Sequence, residues 1–137
     1  MDLGIAGKTA VVSASSAGLG YATAAALAEA GCKTVISGRT EERLTKAAKT
    51  IPNSIPILAD VSTIEGSQNL IRDAKSQLGT SIDILVTNAG GPPPGTFAST
   101  NLNEYMEAIE LNLMSVVAMC KEAAPAMQKQ KWGRILA

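Results

Sequence analysis

A run of small residues, SASSAGLG at positions 13–20, opens directly into an Ala-rich segment and is the first place in this chain where chemistry could be done. Small side chains let backbone come close to a phosphate. A helix starting there presents unpaired N–H groups and a partial positive charge, which together hold a pyrophosphate without any basic side chain. Ser15 and Ser16 offer hydroxyl donors beside Gly18, Leu19 and Gly20. Taken alone, the run also fits a plain strand-to-helix turn, because one Gly-x-Gly in a small-residue loop is a weak signal.

The next informative position lies about 20 residues downstream, where a dinucleotide fold keeps the residue that selects the ribose. Here the chain reads SGRT, residues 37–40. A carboxylate at that point would hold the 2′- and 3′-hydroxyls of NAD. Gly38 instead leaves room, and Arg39 supplies a cation suited to a 2′-phosphate, so NADP is expected and NAD disfavoured; a solvated surface arginine is the alternative. A charge-assisted bond of about 1.5–3 kcal/mol would separate the two cofactors by roughly tenfold to a hundredfold.

Two further patches follow apolar runs. Asp60 and Val61 offer a carboxylate and a backbone N–H near where an adenine would lie; a helix N-cap is the alternative for Asp60, but Thr63 could fill that role just as well, which favours the nucleotide reading. Asn88, Ala89 and Gly90 stand across the switch point from the glycine loop, where a glycine would let a ribose pack closely.

Other chemistries are excluded by what the chain lacks. It has no histidine, and Cys32 and Cys120 are far apart, so metal sites of the zinc type and His-dependent triads fall away and no metal is expected. Both thiols read as reduced and buried. Twelve basic residues balance twelve acidic ones, so no long-range field draws the protein to nucleic acid or to an anionic membrane. No run of about 18 apolar residues is present and MDLGIAGK lacks the regions of a signal peptide, which leads us to expect a cytoplasmic protein.

These residues must be positioned by an alternation of strands and helices. The runs at 9–13, 33–37, 55–60 and 83–88 are short and apolar on both faces, whereas residues 18–30, 41–50, 64–78 and 102–130 carry helical spacing. Gly31 and Gly79 stop the first and third helices, and Thr40 and Thr63 are placed to cap the second and third. Pro125 predicts a kink or an early end in the last helix, and GGPPPGTF at 90–97 predicts a stiff loop. Doubly apolar strands joined by helices specify an α/β fold: a doubly wound, Rossmann-like parallel sheet within one domain spanning 1–137.

The assembled pattern resembles the short-chain dehydrogenase/reductases. Ser13, Ala14, Gly18 and Gly20 match the family's T-G-x-x-x-G-x-G, Asp60 and Val61 its Asp-Val, and Asn88, Ala89 and Gly90 its N-N-A-G. Ala14 replaces the first glycine, and Thr87 the first asparagine. At positive φ, the methyl of Ala14 would strain the loop by roughly 1–2 kcal/mol. The resemblance also implies that Asn112, in ELNLMS (110–115), belongs to a catalytic tetrad by shaping its helix and holding a relay water. Similarity to the 3-oxoacyl carrier-protein reductases implies hydride transfer between a carbonyl and an alcohol.

The family's proton donor is a tyrosine in Y-x-x-x-K. Tyr21 is followed four residues later by Ala25, and Tyr105 by Ile109, so neither fits. The closing GRILA resembles the opening of the family's fifth strand, ahead of its catalytic Ser, Tyr and Lys. The chain therefore reads as the N-terminal, cofactor-binding portion of an NADP-dependent oxidoreductase, truncated after four strands and the start of a fifth, and inactive alone. A sheet of order 3-2-1-4 with a raw edge is expected, and Leu111, Leu113, Val116, Val117 and Met119 should be partly bare. Loose folding or association follows, either with copies of itself or with a complementing C-terminal half. The alternative is a non-catalytic nucleotide-binding subunit that associates through its long last helix.

Overall fold

Each apolar run condenses into a strand, three of them shorter than the hydrophobic stretch and the second one residue longer: β1 (Thr9–Val12), β2 (Lys33–Gly38), β3 (Ile55–Leu58) and β4 (Ile84–Val86). The computed structural model describes residues 2–137, in which these strands join a fifth, β5 (Arg134–Leu136), in one parallel sheet of order β3-β2-β1-β4-β5. The last strand is thus formed, and the free edge lies beside β5 rather than β4. Both ends of β5 are pinned: the Arg134 N–H donates to Asp83 O at 3.0 Å and the Thr87 N–H to Leu136 O at 2.9 Å.

Helices cover both faces: α1 (Gly18–Glu29), α2 (Glu41–Ala48), α3 (Ile64–Leu78), α4 (Leu102–Ile109) and α5 (Ser115–Lys129), the last two joined by a π-helical turn at Glu110–Met114. Side chains of successive strand residues point to opposite faces, which divides the core. Val11, Val35 and Leu85 pack with Leu70, Ile71 and Ala74 of α3 and Met119 and Ala123 of α5. On the other face, Val12 and Ile36 meet Ala24 of α1 and Leu44 and Ala47 of α2. No helix among the described residues is long and apolar enough to cross a membrane.

Punctuation is borne out in part. Thr63 caps α3 through its side chain, accepting the Gly66 N–H at 3.0 Å, and Gly79 ends that helix in the left-handed region at φ 69°. Thr40 precedes α2 without a side-chain capping bond. Pro125 neither shortens nor ends its helix, which runs on to Lys129. A proline removes only its own N–H from the helical ladder, and α5 is tied to α3 close by, where Lys75 Nζ donates to the carbonyl of Glu122. A π turn at Glu110–Met114 lies just ahead of this helix.

Met119 corrects a second expectation, because α5 lies on α3 and buries this side chain completely. Leu111 and Val116 are half-buried. What stays open is a stripe on the opposite side of the helical rod: Leu102, Met106, Ile109, Leu113 and Val117 are exposed by 83, 64, 45, 55 and 38%.

Candidate functional site

Every strand of a parallel sheet delivers its following loop to the same edge, so the four patches meet where the strands end. The glycine loop is drawn down between its neighbours. Ser13 and Ser15 are both fully buried. The Ser13 hydroxyl donates to Asn88 O at 2.5 Å. That of Ser15 donates to Val12 O at 2.7 Å and accepts the Ser37 N–H at 3.0 Å. Neither hydroxyl is free to meet a ligand, which corrects the expectation that Ser15 would be a donor alongside Ser16.

Ala14 takes φ 46°, the strained alternative for a residue with a methyl group. Its peptide is held on both sides: the N–H donates to Ser37 Oγ at 3.1 Å, and the carbonyl accepts Asn88 Nδ2 at 2.9 Å. Gly20 makes this possible. A Cβ there would stand 2.6 Å from both Ala14 O and Asn88 Nδ2. Gly18 has φ +60° and open space around it, so backbone conformation rather than crowding calls for glycine there. No side chain caps the start of α1, and Leu19 in its first turn is 83% exposed.

At the end of β2, Gly38 gives way to Ser16: a Cβ on Gly38 would lie 3.0 Å from Ser16 Oγ. Arg39 is exposed at the mouth of a cleft of about 970 Å³, which Arg43, one turn into α2, also lines. Arg43 was not singled out from sequence, although its position four residues after Arg39 was the available signal. Asp60 is not a helix cap, since Thr63 has that place; its Oδ1 accepts the Ser62 N–H at 3.0 Å. Hydrogen bonds from Ser62, helped by the Arg39 charge, hold the Asp60 carboxyl below its usual range. Val61 is buried beside it.

Ala14, Ser16, Arg39, Asp60, Val61 and Gly90 all line this one cleft, together with Pro92, Pro93 and Pro94 of the stiff loop. Asn88 and Ala89 are half-buried behind it. Thr87, in the position of the missing asparagine, turns toward β5, where its hydroxyl donates to Leu136 O at 3.2 Å. Asn112 sits apart, exposed within the π turn, with Nδ2 donating to Ala108 O at 3.0 Å. A π turn releases helical carbonyls from their i+4 partners, and Asn112 supplies a donor to Ala108 O.

The donor set fits a dinucleotide: an uncapped helix start suited to a pyrophosphate, two guanidinium groups after the end of β2, a carboxylate held ionised, and a cleft within the volume range of cofactor sites. Among the described residues no group of His, Cys, Asp or Glu is arranged to hold a metal ion.

Fold and site therefore define an α/β protein with its cleft at the carboxyl edge of a parallel sheet, where folds of this class place their ligands. Residues 8–137 match the model of the short chain dehydrogenase family, and the chain belongs to that family. It is 32% identical to the oxidoreductase YvaG of Bacillus subtilis, over 99% of this chain and 52% of that protein. It is also 32% identical to the 3-oxoacyl-(acyl-carrier-protein) reductase FabG of Aquifex aeolicus, over 99% of this chain and 56% of that one. The crystal structure of L-sorbose reductase from Gluconobacter frateurii, complexed with NADPH and L-sorbose, superposes with a TM-score of 0.92 at 32% identity, covering 98% of this chain and 53% of that one. The chain spans about half the length of the relatives it matches.

Proposed function

We propose that this chain is the cofactor-binding portion of an NADP-dependent short-chain oxidoreductase that interconverts a carbonyl and an alcohol. The observation that carries this reading is the pairing of Arg39 and Arg43 in one cleft, with Gly38 where an NAD-selecting carboxylate would stand. The backbone N–H groups of Gly18, Leu19 and Gly20 would meet the pyrophosphate, Arg39 and Arg43 the 2′-phosphate, Asp60 and the Val61 N–H the adenine, and Gly90 a ribose. Ser16 Oγ adds a donor, while Ser13, Ala14, Ser15, Asn88 and Ala89 shape the loop from behind. When bound, the nicotinamide supplies or accepts the hydride. Asn112 keeps the helix open at the π turn, its share of the tetrad.

These 137 residues contain no Tyr-x-x-x-Lys, so the chain on its own binds without turning over a carbonyl. Its exposed stripe favours association, with a copy of itself or with a complementing half, and burying it would remove five large apolar side chains from water. The two free thiols suit a reducing cytoplasm.

Fluorescence titration tests the reading. NADPH emission should change saturably on addition of the protein, NADH should bind at least about tenfold more weakly, and Arg39→Ala should erase most of that gap. An NADPH signal unaltered by stoichiometric protein refutes the nucleotide reading. A light-scattering mass of one protomer refutes self-association.

A further inference from the structure

Ser37 lies at the end of β2, two residues before Arg39, and is fully buried. Three of its groups face the glycine loop: Oγ accepts the Ala14 N–H at 3.1 Å, its carbonyl accepts the Ser15 N–H at 2.7 Å, and its N–H donates to Ser15 Oγ at 3.0 Å. The other two contacts use backbone atoms of Ser37, just past the last β1–β2 pair Val12↔Ile36, and would survive any side chain at position 37. The contact to Ala14 depends on the hydroxyl. It falls on the one loop residue that bears a Cβ at positive φ, the conformation a non-glycine residue avoids without help. On the other side, only the Ala14 carbonyl is held, by Asn88.

We infer that Ser37 is a positioning residue: its hydroxyl fixes the Ala14 N–H and so holds the glycine loop in its open, left-handed course, tying the loop to the turn that carries Arg39. Ser37 touches no ligand in this role. It acts through Ala14, and its importance follows from the absence of glycine there. With glycine in place of Ala14 the same course would need no outside hold, because glycine populates positive φ without penalty.

The decisive measurement is amide exchange at Ala14, which needs no cofactor. Loss of a hydrogen bond of ordinary net strength should speed local opening about threefold to tenfold. Ser37→Ala should therefore accelerate exchange of the Ala14 amide by that factor while leaving the amides of Val11 and Val35 unaltered. The nucleotide arm rests on the proposed NADPH reading. There, Ser37→Ala should weaken NADPH about threefold to tenfold in the natural sequence, but less than about twofold when Ala14→Gly is already present. A structural role in strand pairing alone would give equal losses in both backgrounds.

Equal losses, or an Ala14 amide whose exchange does not respond, overturns the inference. If NADPH fails to bind the natural chain, the proposed function falls while the exchange result still decides the role of Ser37. If Ser37→Ala lowers global stability, the amides of Val11 and Val35 accelerate together with Ala14, and that outcome also counts against it. Ser37→Thr, which keeps the hydroxyl, should retain the slow exchange at Ala14.

Discussion

Replacing Gly20 with alanine puts a Cβ 2.6 Å from Ala14 O, 2.6 Å from Asn88 Nδ2 and 3.0 Å from Ser15 Cα. Two of those three neighbours are backbone atoms that cannot swing aside. The loop must retreat from the helix, or Asn88 must release the Ala14 carbonyl. Overpacking of this kind costs about 1–3 kcal/mol, and the lost hydrogen bond about 0.5–1.5 more. Alanine recovers about 0.5–1 kcal/mol through better helix propensity in the first turn of α1. The balance is a destabilisation of about 2 kcal/mol, which lowers the melting temperature by roughly 7 °C for a chain of this size. Circular dichroism melts of the two proteins measure it. Because Asn88 Nδ2 is one of the crowded atoms, Gly20→Ala and Asn88→Ala should combine with a coupling of at least about 0.5 kcal/mol rather than add. A Gly20→Ala protein that melts at or above the natural temperature would refute the packing argument, and strict additivity would remove Asn88 from it.

Three other outcomes are expected. Met119→Ala, which empties a fully buried site between α5, α3 and the sheet, should cost about 2–5 kcal/mol in urea unfolding, and a loss below about 1 would mean that α5 is not docked as described. Asp60 has a folded-state pKa below its unfolded value, so its contribution to stability is present above about pH 4 and lost as pH falls through the folded pKa; Asp60→Asn should accordingly differ from the natural chain at neutral pH and converge with it in acid, and a difference independent of pH would discount the Ser62 hydrogen bonds. Burial, followed by the Asp83 charge, pushes the Cys32 thiol up, so alkylation at about pH 8 should be much slower for Cys32 than for a free thiol and should recover on unfolding; a rate equal to free cysteine in the folded protein would contradict its burial.

The parallel α/β class and the meeting of the patches at one edge were legible in the sequence from doubly apolar strands such as 33–37 and glycine-stopped helices such as α3; the order of the first four strands followed from the family resemblance, and the formed fifth strand was missed. The capping of α3 was legible only as alternatives, Asp60 or Thr63. Both residues can accept an N–H two or three positions ahead, and the choice rests on the local turn. Ser37 was invisible because its side-chain contact crosses between strands, and strand-to-strand register at the loop is not encoded in spacing. The early end expected at Pro125 did not occur, because a helix packed along α3 tolerates a missing N–H that an isolated helix would not. The π turn left no signal that could be read beforehand, since its five residues keep the helical rhythm of their neighbours.

The clamp on Ala14 also sets an order of events during synthesis. Its carbonyl is held by Asn88, 74 residues downstream, and its N–H by Ser37, 23 residues downstream. The glycine loop is thus among the first parts of the chain to be made and among the last to be completed, because β4 must dock beside β1 before Asn88 can reach it. A nascent chain that has passed Gly20 already carries the whole glycine motif. Only one that has passed Asn88 can close it into its clamped form, so this motif takes its final shape through distant strand pairing rather than through its own short run of residues.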